Sequence, residues 1–329
     1  MMVAILIEIR VVLMEPILEV DDLRVYYKSI WGDYKSVDGV SVKAYRNEVL
    51  SIAGESGCGK STLVEGILRL VKPPGYIPTG KVIFEGIDIL RVPEEELRRI
   101  RWSKLAYVPQ GAMNSLNPVI KVEEQMVDAI IDHSGMDKEK AKEVALAMLK
   151  EVGLPVEVAN MYPHQLSGGM KQRVIIATAI ALKPNLVIAD EPTTALDVVV
   201  QRGILQLLRM LKENYHMTVI MVSHDMAAHA QIADRIAIMY AGKIVEVGLI
   251  NQVFKEPLHP YTKGLISAIP AIGKKYVKGI PGLAPSPLNW PSGCRFHPRC
   301  QHATELCVKV EPSIREVERE RFVACHLYG

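Results

Sequence analysis

Short apolar runs alternate with helical-period segments through the first 250 residues of the chain. VLSIA, Val49 to Ala53, reads as a buried strand, and a glycine-rich turn and the helical stretch STLVEGILRL follow it. KVIFEGIDI alternates like an exposed strand or hairpin arm. EEELRRIR sets Glu94 against Arg98 and Glu95 against Arg99 at i,i+4, which predicts a solvated helix face. Ala141, Val144, Ala145, Met148, Leu149 and Val152 recur at helical spacing, so an amphipathic helix packs on a core there. Leu186 to Asp190 and Thr218 to Ser223 are further short apolar runs, as expected of central parallel strands. Strands alternating with helices predict an α/β fold. MEPILEVDDLRV, from Met14, reads as the start of a strand-rich region. Residues 1–13, with VAILIEIRVVL, read as an N-terminal extension or an extra edge strand. From Asn251 prolines cluster, and four cysteines fall within 32 positions, which predicts a boundary near residue 250.

Composition narrows the class. A length of 329 residues suits one large domain or two ordinary ones. Apolar residues make up 49% and charged residues 23%, enough for a full core. A net charge of +2 gives no global pull on nucleic acid. No uncharged apolar run reaches the roughly 18 residues that a membrane span needs. The apolar start is broken by Glu8 and Arg10 and has no signal-peptide cleavage site, so a cytosolic chain is expected, where disulfides are rare.

Three segments carry candidate chemistry. GESGCGKST matches G-x-x-x-x-G-K-[ST] between a predicted strand and a predicted helix, the context of a phosphate loop. Gly54, Glu55, Ser56, Gly57, Cys58, Gly59 and Thr62 would wrap backbone N–H groups around phosphate oxygens. Lys60 would hold the β- and γ-phosphates and Ser61 would ligate Mg²⁺. LVIADE ends a buried strand at Asp190, placed to hold Mg²⁺ through water, and at Glu191, placed to polarise an attacking water. On its own it reads equally well as a strand ending in two solvated acids. LSGGMKQR offers a third element: Ser167 looks like an N-cap, and Gly168 and Gly169 expose backbone before the helix VIIATAIAL.

These segments together resemble the ATP-binding-cassette (ABC) ATPases, over nearly the whole chain. LSGGM, comprising Leu166, Ser167, Gly168, Gly169 and Met170, is similar to the family's signature motif. Gln110 in YVPQ resembles the Q-loop residue, which also ligates Mg²⁺; TTALD, with Ala195, Leu196 and Asp197, resembles the D-loop; His224 in VSHD resembles the switch histidine. Tyr27 stands where the family stacks an aromatic ring on adenine, with Tyr26 adjacent. The resemblance implies a P-loop ATPase with a RecA-like α/β core, an antiparallel β subdomain and a helical subdomain over about 86–165, the whole cassette spanning 14–250. It also implies head-to-tail pairing, with each ATP held between the phosphate loop of one chain and the signature of the other. A second ATPase subunit, commonly a paralogue, and two transmembrane permease subunits follow as partners. Two positions depart from the family pattern: Asn47 stands where glycine is usual, which predicts a looser turn, and Met170 stands where glutamine is commoner.

QGAMNSLNPV, EPLHPYTKGLISAIP and IPGLAPSPLNWPSGCRFHPRC resemble the oligopeptide/dipeptide importer ATPases and their C-terminal extension, here 251–329. That subfamily imports oligopeptides, dipeptides or nickel chelates, and some members take oligosaccharides; an extracellular solute-binding protein delivers the solute. Cys294, Cys300, Cys307 and Cys325 are separated by five, six and seventeen residues. In a reducing compartment four clustered thiols point to a soft metal with a structural role, and the spacing fits neither the common zinc nor the ferredoxin pattern. The resemblance implies a [4Fe–4S] cluster on these four cysteines, with zinc as the alternative. His297, His302 and His326 are either zinc ligands or ordinary hydrogen-bonded histidines. Cys58 reads as a small turn residue or, at a helix N-terminus, as a redox-sensitive thiol. The tail has few long apolar runs, so a metal staple would make up for a missing core.

The expected function is ATP hydrolysis that drives solute import from the cytoplasmic face of the membrane. The other readings are the same ATPase under redox control, a soluble ABC ATPase of repair or translation, and an exporter cassette. The absence of coiled-coil insertions and of a second cassette argues against the soluble ATPase, and the HPYT extension argues against the exporter.

Overall fold

The computed structural model describes residues 15–269 and 279–329, so the expected extension at 1–13 lies outside it. Strands β1 (Pro16–Ser29) and β2 (Gly32–Tyr45) form a long antiparallel hairpin. β3 (Val49–Ala53) follows and leads into the glycine-rich turn. β4 (Gly75–Tyr76), β5 (Lys81–Phe84) and β6 (Ile87–Asp88) return to the hairpin, giving a small sheet of order β2-β1-β5-β6 with β4 on β1. KVIFEGIDI is thus the hairpin that its alternation predicts.

β7 (Leu105–Val108), β8 (Leu186–Asp190), β9 (Thr218–Ser223), β10 (Arg235–Tyr240), β11 (Lys243–Leu249), β12 (Arg315–Glu318) and β13 (Arg321–Val323) join β3 in a second sheet. Its order is β12-β13-β11-β10-β3-β9-β8-β7. The pairings from β10 to β7 are parallel and those from β11 outward are antiparallel. The helices are α1 (Lys60–Ile67), α2 (Glu94–Ile100), α3 (Val122–Ser134), α4 (Lys138–Glu151), α5 (Gly168–Ile180), α6 (Val198–Tyr215), α7 (Met226–Ile232), α8 (Ile250–Lys255), α9 (Pro260–Ser267) and α10 (Glu305–Lys309).

Alternation along the parallel strands builds a core on each face of this sheet. Leu50, Ile52, Ile188 and Val222 join Leu63, Val64 and Ile67 of α1 on one face. Val187, Ala189, Val219 and Met221 join Val174 and Ile176 of α5 on the other. Each such Val, Leu, Ile or Met side chain contributes about 1.5–3 kcal/mol by leaving water. The phosphate-loop helix and the signature helix therefore lie on opposite faces of one sheet.

Local expectations fare unevenly. Asp137 caps α4, accepting from the Lys140 N–H at 2.9 Å, and the helix buries Ala141, Ala145, Met148 and Leu149 as its period predicts. The i,i+4 pairs expected on α2 are not found among the described residues: Glu94 pairs with Arg101 at 2.8 Å, and Arg98 reaches Asp132 of α3. Arg101 wins because its guanidinium also donates to the Leu68 and Arg69 carbonyls, which fixes it beside Glu94. Asn47 takes φ +62°, a left-handed conformation that asparagine tolerates, so the turn expected to loosen without glycine stays tight. Its N–H bonds Thr218 Oγ1 at 3.0 Å.

The C-terminal extension packs against the main sheet. β13 pairs with β11, and Phe296 packs on Tyr240 and Tyr261 with ring centroids 5.2 and 5.5 Å away. That third core also draws in Ala53, Ile236 and Ile238 from the main sheet. Beneath it Glu246, fully buried, accepts the Leu258 and His259 N–H groups at 2.9 Å each and lies 4.0 Å from Arg321. Burial pushes the Glu246 carboxyl up, and those N–H groups act against the shift. Glu246→Ala leaves two buried N–H groups unpaired, so a loss of about 2–4 kcal/mol is expected in urea unfolding. A change below about 0.5 kcal/mol, the range of an ordinary surface substitution, would deny Glu246 this anchoring role.

Candidate active site

The carboxyl ends of four adjacent parallel strands, β3, β9, β8 and β7, carry the candidate residues. This is where α/β sheets of this kind place their ligands. β3 runs into the loop Gly54–Gly59, and the motif's last residues, Lys60 to Thr62, open α1. At Gly59, φ is +107° and a Cβ would meet the Ser36 carbonyl at 2.2 Å; at Gly54 a Cβ would meet the Met239 carbonyl at 2.2 Å. No side chain fits at either position. Lys60 opens α1, with its ammonium donating to the Gly54 and Glu55 carbonyls at 2.8 and 3.0 Å. Cys58 is buried, and burial pushes its thiol up despite Lys60 beside it. It is a packed turn residue, contrary to the alternative of a reactive thiol.

β8 ends at Asp190, whose two carboxylate oxygens are buried without a hydrogen-bond partner. Burial pushes this carboxyl up to about 6, against the opposing influence of Ser61 and Lys60. An orphaned buried carboxylate beside a hydroxyl suits a hard divalent cation, so the donor set fits Mg²⁺. Glu191 follows at φ +48°, a sparsely populated conformation for a non-glycine residue. Its carboxylate meets His224 Nδ1 at 2.9 Å and accepts from Thr194 Oγ1 at 2.8 Å and Gln110 Nε2 at 3.3 Å. Burial would raise this carboxyl, but hydrogen bonds from His224 and Thr194 hold it below its ordinary value. The fold thus gathers Gln110 after β7, Glu191 after β8 and His224 after β9 on one carboxylate. Thr194 was not singled out in the sequence, since a second threonine in TTALD carries no signal of its own.

The signature segment sits elsewhere. Ser167 caps α5, accepting from the Met170 N–H at 3.3 Å. Leu166 is buried in the core on the α5 face. Gly168 lies where a Cβ would meet Leu196 at 3.4 Å, and Gly169 where one would meet Val200 at 2.7 Å. Asp197 caps α6 through the Val199 and Val200 N–H groups, while Ala195 takes φ +63°. The sheet separates this segment from α1, so the fold does not bring the signature to the phosphate loop of its own chain.

Tyr27 and Tyr26 point apart, as neighbours on a strand do. The Tyr27 hydroxyl donates to Glu65 of α1 at 3.1 Å, and that of Tyr26 to Asp38 at 2.5 Å. Tyr27 is therefore the one on the phosphate-helix side. Sequence reasoning missed the reach of the extension into this site. Tyr261 accepts the Glu55 N–H at 2.8 Å, and Arg299 grips both Glu55 carboxylate oxygens at 2.8 and 3.0 Å. The HPYT segment was the only pointer. Its His259 caps α9 through the Tyr261 N–H at 3.0 Å, and burial pulls the imidazole down to about 3, so the ring is neutral.

The metal centre expected on Cys294, Cys300, Cys307 and Cys325 is not what the structure presents. Among the described residues no three His, Cys, Asp or Glu side chains converge to hold a metal ion. The cysteines are free thiols, and the Cys294 N–H donates to the Cys307 carbonyl at 2.8 Å. His297 and His326 bond the backbone carbonyls of Cys294 and Val310 at 2.9 Å each, as ordinary histidines do. The aromatic core and Glu246 anchor the tail.

Comparison with known proteins places the chain in a family. The ABC transporter family matches residues 37–194, and the oligopeptide/dipeptide transporter C-terminal region matches residues 245–307. A dimeric post-hydrolysis structure of the ATP-binding cassette MJ0796 bound to ADP and Pi superposes with a TM-score of 0.63 at 32% identity, covering 71% of this chain and 98% of that one. The dipeptide transport ATP-binding protein DppD of Caldanaerobacter subterraneus subsp. tengcongensis is 48% identical over 319 residues, covering 96% of this chain and 98% of that protein. The oligopeptide transport ATP-binding protein OppD of Bacillus subtilis is 40% identical over 313 residues, covering 93% and 87%. The chain belongs to the ABC transporter ATPases, within the group that carries the oligopeptide/dipeptide C-terminal region. No helix among the described residues is long and apolar enough to cross a membrane.

Asp190 gives a signed test. A carboxyl raised from 3.8 to about 6 on folding opposes folding when ionised, at pH above 6, and has no effect below 3.8. In magnesium-free buffer Asp190→Asn is expected to stabilise the chain at pH 7.5 by at most about 3 kcal/mol. The gain should shrink as pH falls towards 5 in thermal unfolding. Equal stability of the two proteins at pH 7.5 would contradict the buried, unpaired charge.

Proposed function

We propose that this chain is the ATP-hydrolysing, energy-coupling subunit of an ABC importer for dipeptides or oligopeptides. The observation that carries the reading is the Glu191 carboxylate, held by His224, Thr194 and Gln110 at the sheet edge that bears the phosphate loop. Bound Mg²⁺, on Ser61, Asp190 and Gln110, would neutralise phosphate charge. Lys60 exchanges its carbonyl partners for β- and γ-phosphate oxygens, and α1 presents its N–H groups to them. Glu191 orients a water molecule in line with the β–γ bond and takes its proton as oxygen bonds phosphorus and ADP leaves. His224 and Thr194 hold Glu191 in place for that transfer. Tyr27 offers its ring to the base.

The signature residues Leu166–Met170 serve the ATP of a second ATPase subunit. Support comes from the sheet that parts them from their own phosphate loop, and from the dimeric state of the MJ0796 structure. A paralogous partner, two permease subunits and an extracellular solute-binding protein complete the assembly, with this chain at its cytoplasmic face. The matched segments favour a cassette over 14–250, with its helical subdomain at about 86–165, and an extension over 251–329. The substrate class rests on the names of the relatives. A soft metal on the four cysteines is the finer reading of the tail. Its support is that Cys294 lies near enough to Cys307, Cys325 and Cys300 to feel their charges. Metal analysis of chain purified without oxygen tests it: about four irons per chain would carry a [4Fe–4S] centre, about one zinc the alternative, and neither would leave the aromatic core as the only anchor.

Glu191→Gln should retain ATP binding and lose turnover by about 100-fold or more, whereas Lys60→Ala should weaken binding itself. Normal turnover in Glu191→Gln would remove Glu191 as the base. In the reconstituted complex, di- to oligopeptides should stimulate ATP hydrolysis. Stimulation by oligosaccharides or a nickel chelate alone would keep the mechanism and change the cargo.

A further inference from the structure

We infer that Arg299 and Tyr261 of the C-terminal extension are positioning residues for the phosphate loop, so that the extension is a working part of the ATP site. The inference deepens the reading above and rests on it. It stands on Glu55, the second residue of the loop. Every polar group of Glu55 is engaged. Its N–H donates to the Tyr261 hydroxyl at 2.8 Å, its carbonyl accepts Lys60 Nζ at 3.0 Å, and its carboxylate receives both arms of Arg299 at 2.8 and 3.0 Å.

Arg299 is itself fixed. Its side chain is only 6% exposed, and its guanidinium also donates to the Pro281 carbonyl at 2.9 Å and lies 5.8 Å from the Tyr240 ring centre. A buried, bidentate arginine holds a carboxylate in one orientation, which a surface pair does not. Tyr261 is equally rigid, fully buried with its ring 4.5 Å from Tyr240 and its N–H on His259. Glu55 therefore sits between two immobile groups that come from more than 200 residues away in sequence. A phosphate loop binds through backbone N–H groups whose directions must be set before the ligand arrives. Fixing Glu55 fixes the start of that loop, and through the Glu55 carbonyl it also fixes where the Lys60 ammonium rests.

A purely architectural pair would tie the extension down and leave nucleotide affinity alone. A positioning pair changes affinity at temperatures where the fold is intact. The test is Mg²⁺–ATP binding to the full-length chain, read beside its thermal midpoint, with Lys60→Ala as the control for the site. Arg299→Gln should raise the ATP Kd about tenfold, and Arg299→Lys, which keeps charge but loses the fork, should recover part of it. Tyr261→Phe keeps the ring in its core and removes only the hydroxyl, so it should raise Kd about threefold without unfolding the extension. Glu55→Gln with Arg299→Gln should be no worse than Arg299→Gln alone. In the reconstituted complex KM for ATP should rise while kcat stays within about twofold. Wild-type binding that Lys60→Ala abolishes, with Kd unchanged in both Arg299→Gln and Tyr261→Phe, would overturn the inference and leave the ATPase reading intact. Failure of the wild-type chain to bind ATP would overturn the reading on which it rests.

Discussion

Asp190 is the constraint around which the site is arranged. Its carboxylate ends a fully buried strand with no hydrogen-bond partner on either oxygen. Such a group is costly to keep ionised, and its raised pKa shows the cost. A fold built for stability alone would place an apolar residue there. An acid retained there suits a hard cation, and Ser61 and Lys60 lie close enough to act on its charge. Glu191, one residue on, has the opposite character: three side chains satisfy it, and it stays ionised below the ordinary carboxylate range. Two adjacent acids are thus driven apart in protonation behaviour by what surrounds them.

The extension shows how a segment poor in long apolar runs folds without its own core. It borrows one. Phe296 enters a cluster whose other members include residues of β3, β10, β11, α7, α8 and α9, and β13 continues the hydrogen bonding of the main sheet. Glu246 supplies the polar complement, because the Leu258 and His259 N–H groups would otherwise be buried and unpaired. Arg295 adds a second tie, bonding the Ala241 carbonyl at 2.5 Å and pairing with Asp38. Asp38 also accepts from Tyr26 of β1, so the extension is tied to the small sheet as well as to the phosphate loop.

Much of this was legible from residues alone, and the reason is locality. Val49–Ala53, Leu186–Asp190 and Thr218–Ser223 are strands over the residues that their apolar runs mark, because central parallel strands need apolar side chains on both faces. The phosphate loop was legible because its glycines answer to close backbone approach within a few residues. What was not legible depends on distant partners. Nothing in PRC marks Arg299 as the partner of Glu55, and nothing in TTALD marks Thr194 as a donor to Glu191. The ion pairs of α2 failed for the same reason, since Arg101 is held beside Glu94 by the Leu68 and Arg69 carbonyls just past the end of α1. The four cysteines are a cluster in sequence, which proposes a ligand set, but convergence of side chains is a property of the packed tail.

The two faces of the main sheet also explain why so much of the motif set looks unemployed within a single chain. α1 lies on one face and α5 on the other, so the signature cannot approach its own phosphate loop without breaking the sheet. The D-loop bridges the two. Thr194 bonds Glu191, and Leu196, two residues later, packs where a side chain on Gly168 would sit. Asp197 then caps α6, whose Val200 presses on Gly169. Because packed contacts of this kind have little slack, a shift of the signature helix is either absorbed within four residues of Glu191 or felt there. The arrangement ties the Glu191 carboxylate to the signature segment through Thr194, Leu196 and Val200.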